Sequence, residues 1–156
     1  MNVQLRPVGD GDAAWLDGWL APVAASVAYD EIDRERPGAS LVERLRRERG
    51  LRAQVIVRDG DDAGVVVYRV GAPKREAAIV EIVATPVSLA RRGSGMSAGA
   101  LVEDAVRAEG VRTVYVPAPA VRGIEMYFWI RLGFRPLVRG DWPCVRAGVG
   151  WLVREL

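Results

Sequence analysis

Three runs in the middle of the chain are almost unbroken in β-branched and small apolar residues: LRAQVIVRD (51–59), AGVVVYRVG (63–71) and EAAIVEIVAT (76–85). Each predicts a strand, and the short links GDD and APKR between them predict antiparallel hairpins. Before them, NVQLRPV (2–8) alternates as a first strand and stops at the turn signal GDGD. A helical pattern follows over AAWLDGWLAPVAASVA (13–28), with Asp10 or Asp12 as its cap and Trp15 and Trp19 one turn apart toward the core. Pro22 should kink or split that helix. After the polar stretch YDEIDRERPG (29–38), Ser40 can cap a helix over 41–50, with Leu41 and Leu45 on one face and Gly50 as its stop. Beyond the three strands, a glycine-rich loop opens a helix that runs to Glu109. RTVYVPAP (112–119) reads as a strand, and VRGIEMYFWIRLGF (121–134) as a helix giving way at Gly133. FRPLVRG (134–140) and AGVGWLVREL (147–156) close the chain as two more strands. The order β-α-α-β-β-β-α-β-α-β-β predicts an α/β class, a mixed sheet with helices on its faces.

Composition narrows the chemistry. The 156 residues, half of them apolar, suit one domain over 1–156 with one core. The first residues carry no apolar signal segment and no window is long enough to span a membrane, so a cytoplasmic protein is expected, with no membrane partner. Cys144 is alone and there is no histidine. Ser-His-Asp and Cys-His catalysis are therefore excluded, and no metal site is expected. Proton transfer, if any, must use carboxylate, tyrosine, thiol, water or the substrate itself. Net charge is +2, and nearly every cation is arginine, Lys74 being the one lysine. Acidic residues are interspersed with basic ones and no basic stripe forms, so nucleic acid is not an expected partner.

The densest chemical signal is ARRGSGMSAGALV (90–102), where arginines, glycines and serines precede an apolar helix. A glycine-rich helix start exposes several N–H groups together, and the helix dipole adds partial positive charge. Missing side chains let a bulky anion reach the backbone, and arginines add charge-assisted bonds. Two readings stand: a cradle for phosphate or pyrophosphate, and a plain flexible turn with solvated arginines. The loop lacks the Lys-Ser/Thr of a Walker A motif. Gly93, Gly95 and Gly99 are badly spaced for a dinucleotide loop and come after three hairpin strands.

Arg92-Gly93-Ser94-Gly95-Met96-Ser97 resembles the Arg/Gln-x-x-Gly-x-Gly/Ala signature of the GNAT N-acetyltransferase superfamily. IVEIVATP (79–86) resembles that family's fourth strand, FWIRLGF (128–134) is similar to its FYEKLGF, and WLVREL (151–156) resembles its last strand. The resemblance covers essentially the whole chain in element order. It implies a mostly antiparallel central sheet of about seven strands flanked by about four helices. It also implies acetyl-CoA, or another acyl-CoA, as donor. The donor-binding set would be Arg91, Arg92, Gly93, Ser94, Gly95, Met96 and Ser97 around the pyrophosphate, Ile82, Val83 and Ala84 along the pantetheine arm, and Trp129. A backbone N–H of that strand would polarise the thioester carbonyl. The acceptor would be a small-molecule or peptide amine. The alternative is a catalytically weak acyl-CoA-binding module that senses CoA or contacts a partner.

The chain departs from the family in three places. The spacing from Pro86 to Gly95 is longer, Arg122 stands where asparagine is common, and Trp129 falls on the tyrosine that protonates the leaving thiolate. Tyr127, two positions earlier, is the alternative acid. Glu81 is the candidate general base. It sits mid-strand in AIVEIVA, where alternation puts it opposite Val80 and Ile82, and the family often carries glutamate there. Burial raises the pKa of a carboxyl, which suits it to take a proton from an ammonium. The other reading of Glu81 is a carboxylate paired with a neighbouring arginine. Asp30, Glu31 and Asp33 form either an anionic rim for an amine or a solvated loop. Tyr68 and Tyr115, on neighbouring strands, line an acceptor pocket or pack the core. Trp142 and Trp151 complete the core or serve a homodimer contact.

Overall fold

The computed structural model describes residues 1–24, 33–119, 123–145 and 147–156. Its strands are β1 (Val3–Pro7), β2 (Leu51–Arg58), β3 (Asp61–Val70), β4 (Ala77–Ala84), β5 (Thr113–Pro119), β6 (Arg135–Pro136) and β7 (Val149–Glu155). Its helices are α1 (Ala13–Asp17), α2 (Leu20–Ala24), α3 (Pro37–Arg47), α4 (Ser94–Ala108) and α5 (Gly123–Arg131). One seven-stranded sheet takes the order β1-β2-β3-β4-β5-β7-β6. Every neighbouring pair is antiparallel except β4–β5, which is parallel.

The hairpins form where the links were short. Asp59 and Gly60, at φ 53° and 98°, make the two-residue β2–β3 turn. Positive φ at both central residues is what such a turn needs to match strand twist. Along β3 the run Val65, Val66, Val67 and Tyr68 is buried throughout because the sheet is covered on both faces. Val66 and Tyr68 join Val80, Val102, Val106, Trp129 and Phe134 on the α4–α5 face. Val65 and Val67 join Leu16, Leu20, Leu41 and Ile82 on the α1–α3 face. Each such side chain removed from water stabilises the fold by about 1.5–3 kcal/mol.

Several local expectations need correction. The helix expected over 13–28 breaks at Gly18–Trp19, ahead of Pro22, into α1 and α2, so that, among the described residues, five helices flank the sheet rather than four. The residues past Ala24 in that stretch lie outside the described residues. Leu16 and Leu20, wholly buried, hold the core positions, with Trp15 and Trp19 edge to face at 5.2 Å beside them. Asp12 holds the N-cap position of α1, but its carboxylate accepts from the Gly9 N–H and from Arg6 instead. The Arg6 guanidinium holds that carboxyl below its ordinary pKa.

α3 starts at Pro37, whose missing N–H costs nothing at a helix start, so Ser40 lies inside it and does not cap it. The cap comes from α1: Asp17 Oδ1 accepts from the N–H of Gly38 at 2.7 Å and of Ala39 at 3.3 Å. The two helices cross at Gly38, where a Cβ would stand 2.2 Å from the Ala13 carbonyl oxygen. Only glycine permits that approach. β6 shrinks to two residues, Arg135 and Pro136, beyond which Leu137 makes one more bond to β7, its N–H donating to the Trp151 carbonyl at 2.9 Å. Tyr68 and Tyr115 are not on neighbouring strands; β4 runs between β3 and β5. No helix among the described residues is long and apolar enough to cross a membrane.

Candidate functional site

β4 is one strand with two surroundings. Ala77, Ala78 and Ile79 pair with Thr113, Val114 and Tyr115 of β5, and the register ends there. β5 continues along β7 to Pro119, while β4 stays with β3 as far as Ala84 opposite Val65. The sheet therefore splits between β4 and β5. The split begins at a β-bulge, because Tyr68 pairs with Val80 and Val67 with Ile82, leaving Glu81 as the extra residue.

The split opens a cleft of about 490 Å³. Its walls are Glu81–Ala84 of β4, the β4–α4 loop with the first turn of α4, Pro117 of β5, one face of α5, and Pro22 of α2. The loop runs through a helical turn at Val87–Leu89, and then Arg91 and Gly93 both take positive φ, 62° and 85°. For arginine that conformation costs about 1 kcal/mol. Gly93 occupies the N-cap of α4 with no side-chain cap, so the first N–H groups of a fifteen-residue helix have no intrahelical acceptor. Ser94 Oγ, in a residue 2% exposed, has no hydrogen-bond partner among the described residues. Arg91 and Arg92 are exposed beside this turn, and Gly95 faces Phe128 and Val83.

The structure thus brings the residues expected to hold a donor, from Ile82 to Ala84 and from Arg91 to Met96, to one cleft with Trp129. Ser97, expected with them, is already inside the turn, its N–H bonded to the Gly93 carbonyl. Trp129 is 8% exposed and packs edge to face with Phe128 and Phe134. Tyr127 is not brought to the cleft. It is 62% exposed on the outer face of α5, under the Arg131 guanidinium. Tyr68 is buried in the α4–α5 core rather than in the cleft. Asp33 builds the turn ahead of α3, its Oδ1 accepting from the Glu35 N–H at 2.8 Å. Asp30, Glu31 and Arg122 lie outside the described residues. Trp151 is buried, and its indole N–H bonds to the Cys144 carbonyl. Trp142 bonds to the Leu137 carbonyl in the same way.

Glu81 does not sit opposite Ile82 as simple alternation requires. The bulge turns both residues toward α3, and only Val80 faces the other way. The Glu81 carboxylate is 2% exposed and has two arginine partners: Arg44 Nη2 of α3 at 3.1 Å and Arg69 Nε of β3 at 3.4 Å. Glu48 closes the cluster, accepting from Arg44 at 3.1 Å and Arg69 at 2.5 Å. Hydrogen bonds from Arg44 first, then Arg69, pull the Glu48 carboxyl down to about 2. Two arginines and two carboxylates are thus tied together at the α3 end of the bulge. Pairing of this kind is how charged side chains are accommodated out of water.

The sequence reading missed Phe128, Glu125, Pro117 and Pro22 as cleft residues. A signal for two of them was present. Ile124, Glu125, Phe128 and Trp129 recur at helical spacing, so placing Trp129 in the cleft places one turn of α5 beside it. Pro117 and Pro22 carry no such signal, because only the sheet order brings their elements there.

No protein-family model matches the chain, and no curated protein matches it. Solved structures do. An acetyltransferase from Thermus thermophilus matches with a TM-score of 0.78 at 22% identity, over 100% of this chain and 98% of that one. An acetyltransferase of the GNAT family from Staphylococcus aureus matches at 0.76 and 12% identity, over 99% of each chain. The PaiA N-acetyltransferase of Thermoplasma acidophilum, solved in complex with coenzyme A, matches at 0.76 and 11% identity, over 100% of each chain. With its seven-stranded mixed sheet split between β4 and β5, the chain has the fold of the GNAT N-acetyltransferases.

Proposed function

We propose that residues 1–156 form one acyltransferase domain, which moves an acetyl or other acyl group from its CoA thioester to a primary amine of a small molecule or peptide. The observation that carries this reading is the cleft itself: an unpaired strand edge meets an uncapped helix start at one end of a split sheet. The residues present fit a CoA. The free N–H groups at the start of α4 and the unpartnered Ser94 Oγ are donors suited to a pyrophosphate, and Arg91 and Arg92 add positive charge. β4 beyond the bulge, with no β5 register, offers its main chain to the amide-bearing pantetheine arm as it would to an added strand. Phe128 and Trp129 supply an apolar wall that keeps water from the arm.

The donor supplies an acyl carbon activated as a thioester. Attack by the amine forms the C–N bond, breaks the C–S bond, and releases CoA together with the proton lost by nitrogen. This chain's contribution is mainly positioning. A strand N–H past the bulge would hydrogen-bond the thioester oxygen as charge builds on it. Trp129 offers no proton at neutral pH, and Tyr127 faces solvent, so the thiolate takes its proton from water or from the substrate nitrogen, which sheds one once the C–N bond has formed. Glu81 lines the cleft as a candidate base, yet its carboxylate is turned to two arginines, which favours a second, non-catalytic reading of the site as an acyl-CoA-binding module.

Calorimetry with CoA and a screen of amines for thiol release from acetyl-CoA separate these readings. CoA binding with turnover on some amine supports the acyltransferase, and binding without turnover on any amine supports the module. Gly95→Val is expected to weaken CoA at least tenfold, because its side chain would enter the space that now separates the helix start from Phe128 and Val83, 3.5 Å from its Cβ position. Unchanged affinity in that variant would remove the α4 site from the reading.

A further inference from the structure

The buried ion cluster beside the bulge has a cost that stability alone does not recommend. Arg44 and Glu81 are each 2% exposed, and an ion pair removed from water rarely adds net stability over an apolar replacement. What the cluster does provide is geometry. Its only strand carboxylate is the bulge residue itself, the extra position at which β4 leaves β5. Arg44 reaches it from α3 and Arg69 from β3, and Glu48 bonds to both arginines at once. A bulge residue has no ladder partner of its own, so a side-chain anchor adds to what its paired neighbours Val80 and Ile82 fix.

We infer that Arg44 is a positioning residue: through Glu81 it locks the bulge, and the bulge sets the angle at which Ile82–Ala84 meet the pantetheine arm of the donor. The inference rests on the acyl-CoA reading and assigns Glu81 the role of anchor, not base. It separates two parts of the donor site. The phosphates are held by α4 and its loop. The pantetheine arm is held by the strand the cluster controls.

The experiment compares two ligands on one set of variants. CoA and 3′-phospho-ADP, which carries the phosphates without the arm, are titrated calorimetrically into wild type, Arg44→Met, Arg44→Lys and Arg69→Met, below each variant's melting temperature. In Arg44→Met, CoA affinity should fall by about tenfold, the scale of one or two main-chain hydrogen bonds, while 3′-phospho-ADP affinity stays within twofold. Arg44→Lys, which keeps the charge beside Glu81, should recover part of the loss. Arg69→Met, whose side chain is 25% exposed, should fold readily and show a smaller loss of the same kind. CoA affinity unchanged in both methionine variants, or both ligands weakened together, would overturn the inference. Wild type that binds 3′-phospho-ADP but gains nothing from the arm overturns it too. Wild type that binds neither ligand rejects the acyl-CoA reading, and this inference with it. Turnover adds an independent arm: an anchor requires Glu81→Gln and Arg44→Met to lose activity alike and non-additively. Loss in Glu81→Gln alone, of about 10²-fold with the pH profile altered, would make Glu81 the base.

Discussion

The two halves of β4 carry the same kind of residue and do opposite things. From Ala77 to Ile79 the strand is sealed between β3 and β5. From Glu81 to Ala84 it keeps β3 and loses β5, and its far edge becomes a cleft wall. Glu81 apart, the side chains hardly differ in hydrophobicity. The difference is one inserted residue and the arginines that hold it. Here the site is made by withholding a pairing, and the strand that forms it is no less well packed for that.

The largest contrast should come from cutting the same kind of side chain in each half. Ile79, buried opposite Tyr115, should cost about 2–5 kcal/mol on change to alanine, through lost transfer energy and an unfilled cavity. CoA affinity measured below the lowered melting temperature should not move. Val83→Ala, at the half-buried cleft wall, should cost under about 1.5 kcal/mol in denaturant melts and act on CoA affinity instead. If both variants behave alike, the two halves are not distinct.

Acid should act on the cluster beside the bulge next. The Glu48 carboxyl sits at about 2 when folded, against 4.5 for the ordinary group. The folded state thus binds this proton more weakly than the unfolded state. Its contribution is fully present above pH 4.5 and is lost as pH falls through about 2. The full contribution is at most about 3 kcal/mol. Glu48→Gln should flatten that part of the stability-versus-pH curve in urea melts. A curve as steep as wild type there would show that the arginines do not hold Glu48.

The smallest effect sharpens the contrast between the faces of α5. Tyr127→Phe removes a hydroxyl from a ring that is mostly in solvent, and should change stability by under about 0.5 kcal/mol and turnover by less than twofold. Loss of turnover with CoA binding intact would mean that Tyr127 reaches the reaction.

Much of this was legible in the residues. The three apolar runs at 51–85 are hairpin strands because their links are too short for anything else, and Asp59-Gly60 supplies the turn. The glycine-rich start of α4 was legible for the same local reason, since small residues at a helix start free its N–H groups. The bulge was not. AIVEIVA alternates well enough to place Glu81 opposite Ile82, and nothing within it says that one residue will be left out of the ladder. That depends on Val67 and Tyr68, across the hairpin, pairing on either side of it. The cap of α3 by Asp17 is hidden likewise, since donor and acceptor stand 21 residues apart.

The sequence by itself determined most of the elements, their order and the glycine-rich start of α4 with its free N–H groups, because propensity, periodicity and backbone freedom act over a few neighbouring residues. Only the tertiary structure decided where the sheet splits, which face Glu81 takes, and that Arg44 and Arg69 meet it. Those are contacts between elements far apart in the chain, and a buried charge is settled by whichever partner the packing brings within reach.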